Sequence, residues 1–313
     1  MKEKMLPRKP LGKTGFDITP LGFGSAEIGY LNTEQKAVGE ILNYLLDHGV
    51  NLIDTAASYK TSEEVIGEAI SHRRSEFVLV SKCGGAIEGI DAPAWSAELI
   101  TRTVERALKR LRTDQLDVML LHTCDEETLR KGEALGALVA AKKAGKIRFA
   151  GYSGDNEAAA YAATLPDISV IETSISIADQ INIDRVLPVA AKHHVGVLAK
   201  RPIANAAWKE IEVQEGLYKN YSKPYSRRLK AMDLSPQSLG IQGPHSAAWP
   251  ELALRFTLSQ PAVTSAIIGS TKLKNVQQNL EATAKGPLPK ETVEKIREAF
   301  KTGQGADHWH GLT

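Results

Sequence analysis

The chain of 313 residues has only two cysteines, Cys83 and Cys124, too few for a disulfide framework and in no CxxC or Cys/His spacing that would hold a metal. Reduced thiols are the default reading. No apolar run approaches the length of a membrane span, and the basic opening MKEKMLPRKPLGKTG lacks the apolar core of a secretion signal. A cytoplasmic protein is expected. No block of like charge is present either: 39 Lys and Arg are interspersed with 37 Asp and Glu, giving a net charge of +2 that does not point to nucleic acid. No GxGxxG follows the first apolar strand, which weighs against an open doubly wound sheet.

What is present is an alternation of short apolar runs and amphipathic ones. Hydrophobic residues make up 42% of the chain, enough for a substantial core, and α/β barrels routinely reach this length as one domain. Strands are expected near residues 20, 51, 77, 116, 147, 168, 195 and 262, each followed by a helix. Val38, Ile41, Leu42, Leu45 and Leu46 show the helical spacing, with Asn32 or Thr33 as cap; Thr61 and Glu64 read as a capping box and Ser96 as a further N-cap. Eight such units predict a closed (β/α)8 TIM barrel occupying residues 1–313 as one domain. A polar, basic and aromatic insertion, roughly 203–247, interrupts the rhythm before the last βα unit and reads either as a functional lid or as a disordered excursion.

The polar residues at the strand ends carry the chemistry. In a parallel barrel all strand C-termini open on one face. Asp54 and Tyr59 follow the second strand, Lys82 ends the third and His122 ends the fourth. Each alone has an ordinary explanation, as a helix cap, a surface aromatic, a solvated cation or a core histidine. Together at one mouth they form a proton-donating group. A phenol is a weak acid at neutral pH, and a nearby ammonium favours its phenolate. Asp54 would hold Lys82 charged, and His122 would orient a carbonyl oxygen.

These four residues, in type, order and spacing, resemble the catalytic tetrad of the aldo-keto reductases. The likeness runs from Arg8-Lys9-Pro10-Leu11-Gly12-Lys13-Thr14-Gly15, which matches the family's N-terminal hairpin, to Ile267-Ile268-Gly269-Ser270-Thr271 and Asn279. It implies a nicotinamide cofactor, usually NADPH, lying extended across the barrel mouth, and reversible reduction of an aldehyde or ketone. Gly24, Ser25 and Ser153 match nicotinamide-side positions. The next position, usually Asn, is Gly154; the carboxamide-binding Gln is Glu172; and Lys200, followed by Arg201, stands where many members stack a Tyr. Lys200 and Glu172 are expected to pair. At the adenosine end Gly269, Ser270, Thr271 and Lys272 lead into a helix whose N-terminus suits phosphate. The family's 2′-phosphate arginine falls at Asn275 and an adenine-contacting acid at Gln278, but Lys272 offers the positive charge that a 2′-phosphate wants, so NADP(H) remains favoured, with NAD(H) possible.

For the substrate pocket the resemblance suggests Trp95, Trp208 and Trp309, together with the aromatics of the insertion; packing of loops onto the barrel rim is the competing reading. The substrate is expected to be a small carbonyl compound or alcohol, with no nucleic-acid or membrane partner and a monomer or weak homo-oligomer. Two rivals stand beside this reading. Some members of the family serve as cofactor-binding regulatory subunits of channels, and a phosphate-binding barrel would use Lys82 as a Schiff-base residue.

Overall fold

Strand residues of alternating direction explain most of the architecture. The structure, a computed structural model, describes residues 6–31, 34–209 and 218–312, and over 218–221 the backbone alone. An antiparallel hairpin of β1 (Lys9–Pro10) and β2 (Asp17–Ile18) comes first. Eight strands follow: β3 (Leu21–Gly24), β4 (Leu52–Asp54), β5 (Val78–Cys83), β6 (Leu116–His122), β7 (Ile147–Ser153), β8 (Ile168–Ser174), β9 (Gly196–Lys200) and β10 (Ser265–Ile268). All neighbours pair in parallel, and β10 closes on β3. The protein is a (β/α)8 barrel.

Helices wrap the barrel in chain order. After β3 come α1 (Ala26–Tyr30) and α2 (Gln35–Asp47), after β4 comes α3 (Ser62–Ile70), and after β5 comes α4 (Ala97–Leu111). β6 is followed by α5 (Glu126–Lys131) and α6 (Glu133–Lys143), β7 by α7 (Asn156–Ala162), and β8 by α8 (Ile181–Arg185) and α9 (Leu187–Lys192). Beyond β9 lie α10 (Tyr218–Met232) and α11 (His245–Leu258), and beyond β10 lie α12 (Leu273–Ala284) and α13 (Lys290–Gln304).

The period-2 pattern of a strand sends successive side chains to opposite faces. Val78 and Val80 of β5, Val118 and Leu120 of β6, Val170 of β8 and Leu198 of β9 fill the barrel interior with Leu52 and Ile267. Their neighbours Leu79, Cys83, Met119, Leu121, Ile171, Val197 and Ala199 face outward into the core beneath the helices. Leu11 and Ile18 from the hairpin join the interior cluster. Each such fully buried aliphatic stabilises the fold by about 1.5–3 kcal/mol. A third cluster, centred on Tyr225, Trp249, Phe256 and Phe300, ties α10, α11 and α13 together.

Several local expectations change. Thr61 occupies the N-cap position of α3, but its side chain makes no capping hydrogen bond, so the capping box does not form. Ser96 does cap α4, its Oγ accepting from the Leu99 amide at 3.1 Å. The expected cap at Asn32 or Thr33 lies outside the described residues. The described part of the insertion holds the 15-residue α10, packed against α13 and the loop after β9 through buried Leu229 and Met232. No described helix is long and apolar enough to cross a membrane.

Candidate active site

The same alternation that fills the barrel with valine and leucine ends, one step further along each strand, in polar residues. Leu52 is followed on its face by Asp54, Val80 by Lys82, Leu120 by His122, Val170 by Glu172 and Leu198 by Lys200. Register completes the alignment: Asp54 pairs with Gly24 across β3 and β4, His122 with Ser153, and Ser153 with Glu172. They meet at the C-terminal mouth, around a cavity of about 640 Å³.

Lys82 lies at the floor of this mouth. Its Nζ donates to both carboxylate oxygens of Asp54, at 2.6 and 2.7 Å, and to the carbonyl of Thr55 at 3.0 Å. Glu172 Oε2 stands 3.2 Å from the same nitrogen. Burial opposes the charge on Lys82, but Asp54 and then Glu172 outweigh it and hold the ammonium well above its ordinary range. Asp54 is itself pushed upward, by burial first and by the charge of Glu172 second, with Lys82 pulling against both. The Schiff-base rival needs a neutral amine at Lys82, and this cage disfavours one.

Tyr59 is half-buried on the cavity wall, with Lys82 Nζ 5.3 Å from its ring centroid. Lys82 acts in the expected lowering direction on the phenol. Burial is the larger effect, however, and the net direction is upward, so the phenol keeps its proton across the neutral range. His122 meets the Tyr59 ring edge-on at 5.8 Å, and its Nδ1 lies 3.4 Å from Ser58 Oγ. Burial, then Lys82 and Lys200, push the imidazole down to about 3. A neutral imidazole can still donate one hydrogen bond to an oxygen in the cavity.

The nicotinamide-side residues divide into those that face the cavity and those that support it. Gly24, Ser153, Glu172, Lys200, Arg201 and Gly269 line it. Ser25 also borders it, yet its hydroxyl is committed inward: it donates to the Asp54 carbonyl at 2.7 Å and receives a bond from Ser62 Oγ at 2.7 Å. Gly154 stands behind the wall. A Cβ there would lie 2.4 Å from the Tyr152 hydroxyl, which donates to the Cys124 carbonyl at 2.6 Å. The Tyr152 ring thus fills the space of an asparagine side chain.

The expected Lys200–Glu172 pair is corrected by the structure. Lys200 Nζ binds Asp155 Oδ2 at 2.9 Å, while Glu172 turns to Lys82. Asp155 is fully buried and also accepts from the Ser174 amide, Thr173 Oγ1 and Asn182 Nδ2. Burial opposes its charge, but Lys200 and these donors hold it below the usual carboxylate range. Arg201 donates to the Leu312 carbonyl at 2.5 Å, linking the cavity wall to the C-terminal tail.

At the far rim, Ser270 Oγ accepts from the Lys272 amide at 3.1 Å and from Asn275 Nδ2 at 3.2 Å. Asn275 therefore spends its amide on the turn that opens α12. Thr271 and Gln278 are half-buried, Lys272 is exposed and Asn279 is buried. None of these six lines the cavity. Nor does any of the three tryptophans. Trp95 packs over Gly84, Trp208 stacks on Trp249 at 5.6 Å beside a separate pocket, and Trp309 meets Phe300 edge-on at 4.8 Å. Their apolar rings follow the loop-packing alternative. Conversely, Glu27, Tyr30 and Lys209 line the cavity without having been anticipated, because the five-residue α1 that carries the first two is too short to show a periodic signal.

Two observations fit a nicotinamide dinucleotide here. Glu172 Oε2 is a buried oxygen with no hydrogen-bond partner. Gly24 and Gly269 also border the cavity, and with no side chain at either residue that part of the wall is bare backbone. Cys83 and Cys124 are free and buried, and burial pushes both thiols up, Cys124 to about 12, which keeps them unreactive. Among the described residues no group of three His, Cys, Asp or Glu is arranged to hold a metal ion.

Comparison with known proteins agrees in extent with the barrel. Residues 20–301 match the profile of the Aldo/keto reductase family. The uncharacterized oxidoreductase YqkF of Bacillus subtilis is 28% identical over 311 residues, covering 94% of this chain and 96% of that protein. A probable voltage-gated potassium channel subunit beta of Arabidopsis thaliana is 26% identical, covering 94% and 96%. The holo form of aldo-keto reductase AKR11C1 from Bacillus halodurans superposes with a TM-score of 0.79 at 25% identity, covering 94% and 96%.

Proposed function

The chain belongs to the aldo/keto reductase family, oxidoreductases that use NAD(P)H, and we propose that it reversibly reduces an aldehyde or ketone with Tyr59 as the proton donor. The observation that supports this reading most is the position of Tyr59: a protonated phenol on the wall of the cavity at the strand C-termini, with Lys82 beneath it.

NAD(P)H, when bound, supplies the hydride. Everything else falls to the chain. The bare backbone of Gly24 and Gly269 on the cavity wall admits a flat group at close range, while Ser153 and Glu172 present a hydroxyl and a carboxyl to its polar edge. His122, neutral at working pH, donates a hydrogen bond that orients the carbonyl oxygen toward Tyr59. Tyr59 then gives its proton to that oxygen, and the ammonium of Lys82 stabilises the phenolate left behind. Asp54 keeps Lys82 in place and charged.

In this reading one barrel domain spans the chain. Lys272 at the start of α12 favours NADP(H) over NAD(H), since an exposed ammonium beside free helix amides suits an added phosphate. The test is a fluorescence titration with NADPH and NADH, followed by nucleotide oxidation in the presence of aldehydes, ketones and sugars. Tyr59→Phe should lose about 10²–10⁴-fold in reduction rate and bind nucleotide as the parent does. Full activity in that variant would remove Tyr59 as donor. Tight nucleotide binding without turnover of any carbonyl would instead favour a regulatory subunit.

A further inference from the structure

Two carboxylates converge on one ammonium at the buried base of the barrel mouth. The side chains of Lys82, Asp54 and Glu172 are 0%, 4% and 3% exposed. Fully ionised, the three groups would carry a net charge of −1, and an uncompensated buried charge costs several kcal/mol. Among the described residues no second cation forms an ion pair with either carboxylate. On β9, Lys200 is held by Asp155 at 2.9 Å, and Arg201 beyond it turns to the Leu312 carbonyl. On β6, His122 is neutral. β7 offers only the hydroxyl of Ser153, whose Oγ lies 3.5 Å from Glu172 Oε1; in the loop after β4 the phenol of Tyr59 is uncharged, and Lys60 is exposed and lies over the Tyr30 ring at 5.4 Å.

The remaining way to neutralise the group is a proton. Both carboxylates stand on the same nitrogen, Asp54 Oδ1 at 2.6 Å and Glu172 Oε2 at 3.2 Å, and burial together with the charge of Glu172 pushes the Asp54 carboxyl up. Glu172 Oε2 stands 3.2 Å from Lys82 Nζ without forming a hydrogen bond. We propose that Asp54 and Glu172 hold one proton between them at neutral pH, and that Glu172 is thereby a positioning residue that sets the alkaline limit of the Tyr59–Lys82 acid. Two carboxylates sharing one site rarely ionise together, and the proton belongs to the pair. With it the triad is neutral, and the carboxyl group facing the cavity offers a donor as well as an acceptor, as a glutamine would. When the pair loses its proton, the site gains a negative charge beside Tyr59. Phenolate formation then becomes harder, and proton donation slows. This consequence rests on Tyr59 as donor; the shared proton does not.

The experiment has two arms. Infrared difference spectroscopy of the protein without nucleotide, near neutral pH, compares the parent with Glu172→Gln and with Asp54→Asn. Removing either partner leaves a single carboxylate opposite Lys82, so both difference spectra should show loss of one carboxylic-acid C=O band. Absence of that band from both differences overturns the proposal, and either variant suffices if the other fails to fold. In the second arm, the pH profile of carbonyl reduction by Glu172→Gln should keep its activity to higher pH, moving the alkaline limb up by about one pH unit or more. An unmoved limb overturns the positioning role. Should Tyr59→Phe prove active, the donor assignment falls while the infrared result still decides the shared proton.

Discussion

Lys200 Nζ sits 2.9 Å from Oδ2 of Asp155, a carboxylate with no exposed surface. Lys200→Met would leave that oxygen charged and buried without its cation, because the other donors, the Ser174 amide, Thr173 and Asn182, all bind Oδ1. Breaking one side of such a pair costs about 3–5 kcal/mol. Urea unfolding should show a loss of that order, and an unchanged midpoint would mean that Asp155 takes up a proton at little cost. A stability loss with unaltered nucleotide affinity would assign Lys200 to the scaffold rather than to the nucleotide.

Gly29 controls the position of Tyr59 from a helix that sequence patterns do not reveal. A Cβ at residue 29 would lie 2.1 Å from the Tyr59 carbonyl and 3.0 Å from Ser62 Cβ. Backbone cannot rotate aside as a side chain can. Gly29→Ala should therefore destabilise the protein by about 1–3 kcal/mol and displace the phenol. Because a small misplacement of a reacting group is costly, the reduction rate should fall by about tenfold or more, with nucleotide binding retained. Full turnover would show that the Tyr59 loop adapts.

His122 provides a pH signature. Its imidazole is pushed down to about 3 in the folded protein, against an ordinary value of 6.5, so the folded state binds fewer protons than the unfolded one between those limits. The stability this contributes is present above pH 6.5 and is lost as pH falls toward 3. Its ring proton resonances should not titrate between pH 8 and about 5. A titration midpoint near the ordinary value would remove the neutral hydrogen-bond donor from the mechanism.

Asp179 has the opposite sign. Burial pushes its carboxyl up from 3.8 to about 7, although it accepts from the Tyr225 hydroxyl at 2.9 Å and the Leu312 amide at 3.0 Å, with Arg228 at 3.6 Å. The folded state therefore holds a proton that the unfolded chain releases. That contribution is complete below pH 3.8 and is lost as pH rises through 7. In Asp179→Asn this decline should disappear, so the difference in unfolding free energy between pH 5 and pH 8 should shrink. An identical pH dependence would place the ionised form in the fold.

Much of the site was legible because strand period and chain order carry it. Asp54, Lys82 and His122 lie at inward positions of consecutive strands, so counting strands in a parallel barrel already brings them to one mouth. Pairing was not legible. Asp155 gave no signal of its own, yet it takes the lysine that Glu172 was expected to hold. The three tryptophans went astray because an aromatic ring in a loop packs wherever the loop path leaves an apolar gap, as Trp95 does over Gly84 and Trp309 does against Phe300.

The amino-acid sequence by itself determined the barrel and which four side chains gather at its open end, since alternating burial and parallel register leave little choice once eight apolar strands are present. Only the tertiary structure decided how the charges divide among partners: Lys82 between Asp54 and Glu172, Lys200 with Asp155. Electrostatic pairing in a buried site depends on distances of a few ångströms between strands far apart in the chain, and those distances follow from packing rather than from spacing along the chain.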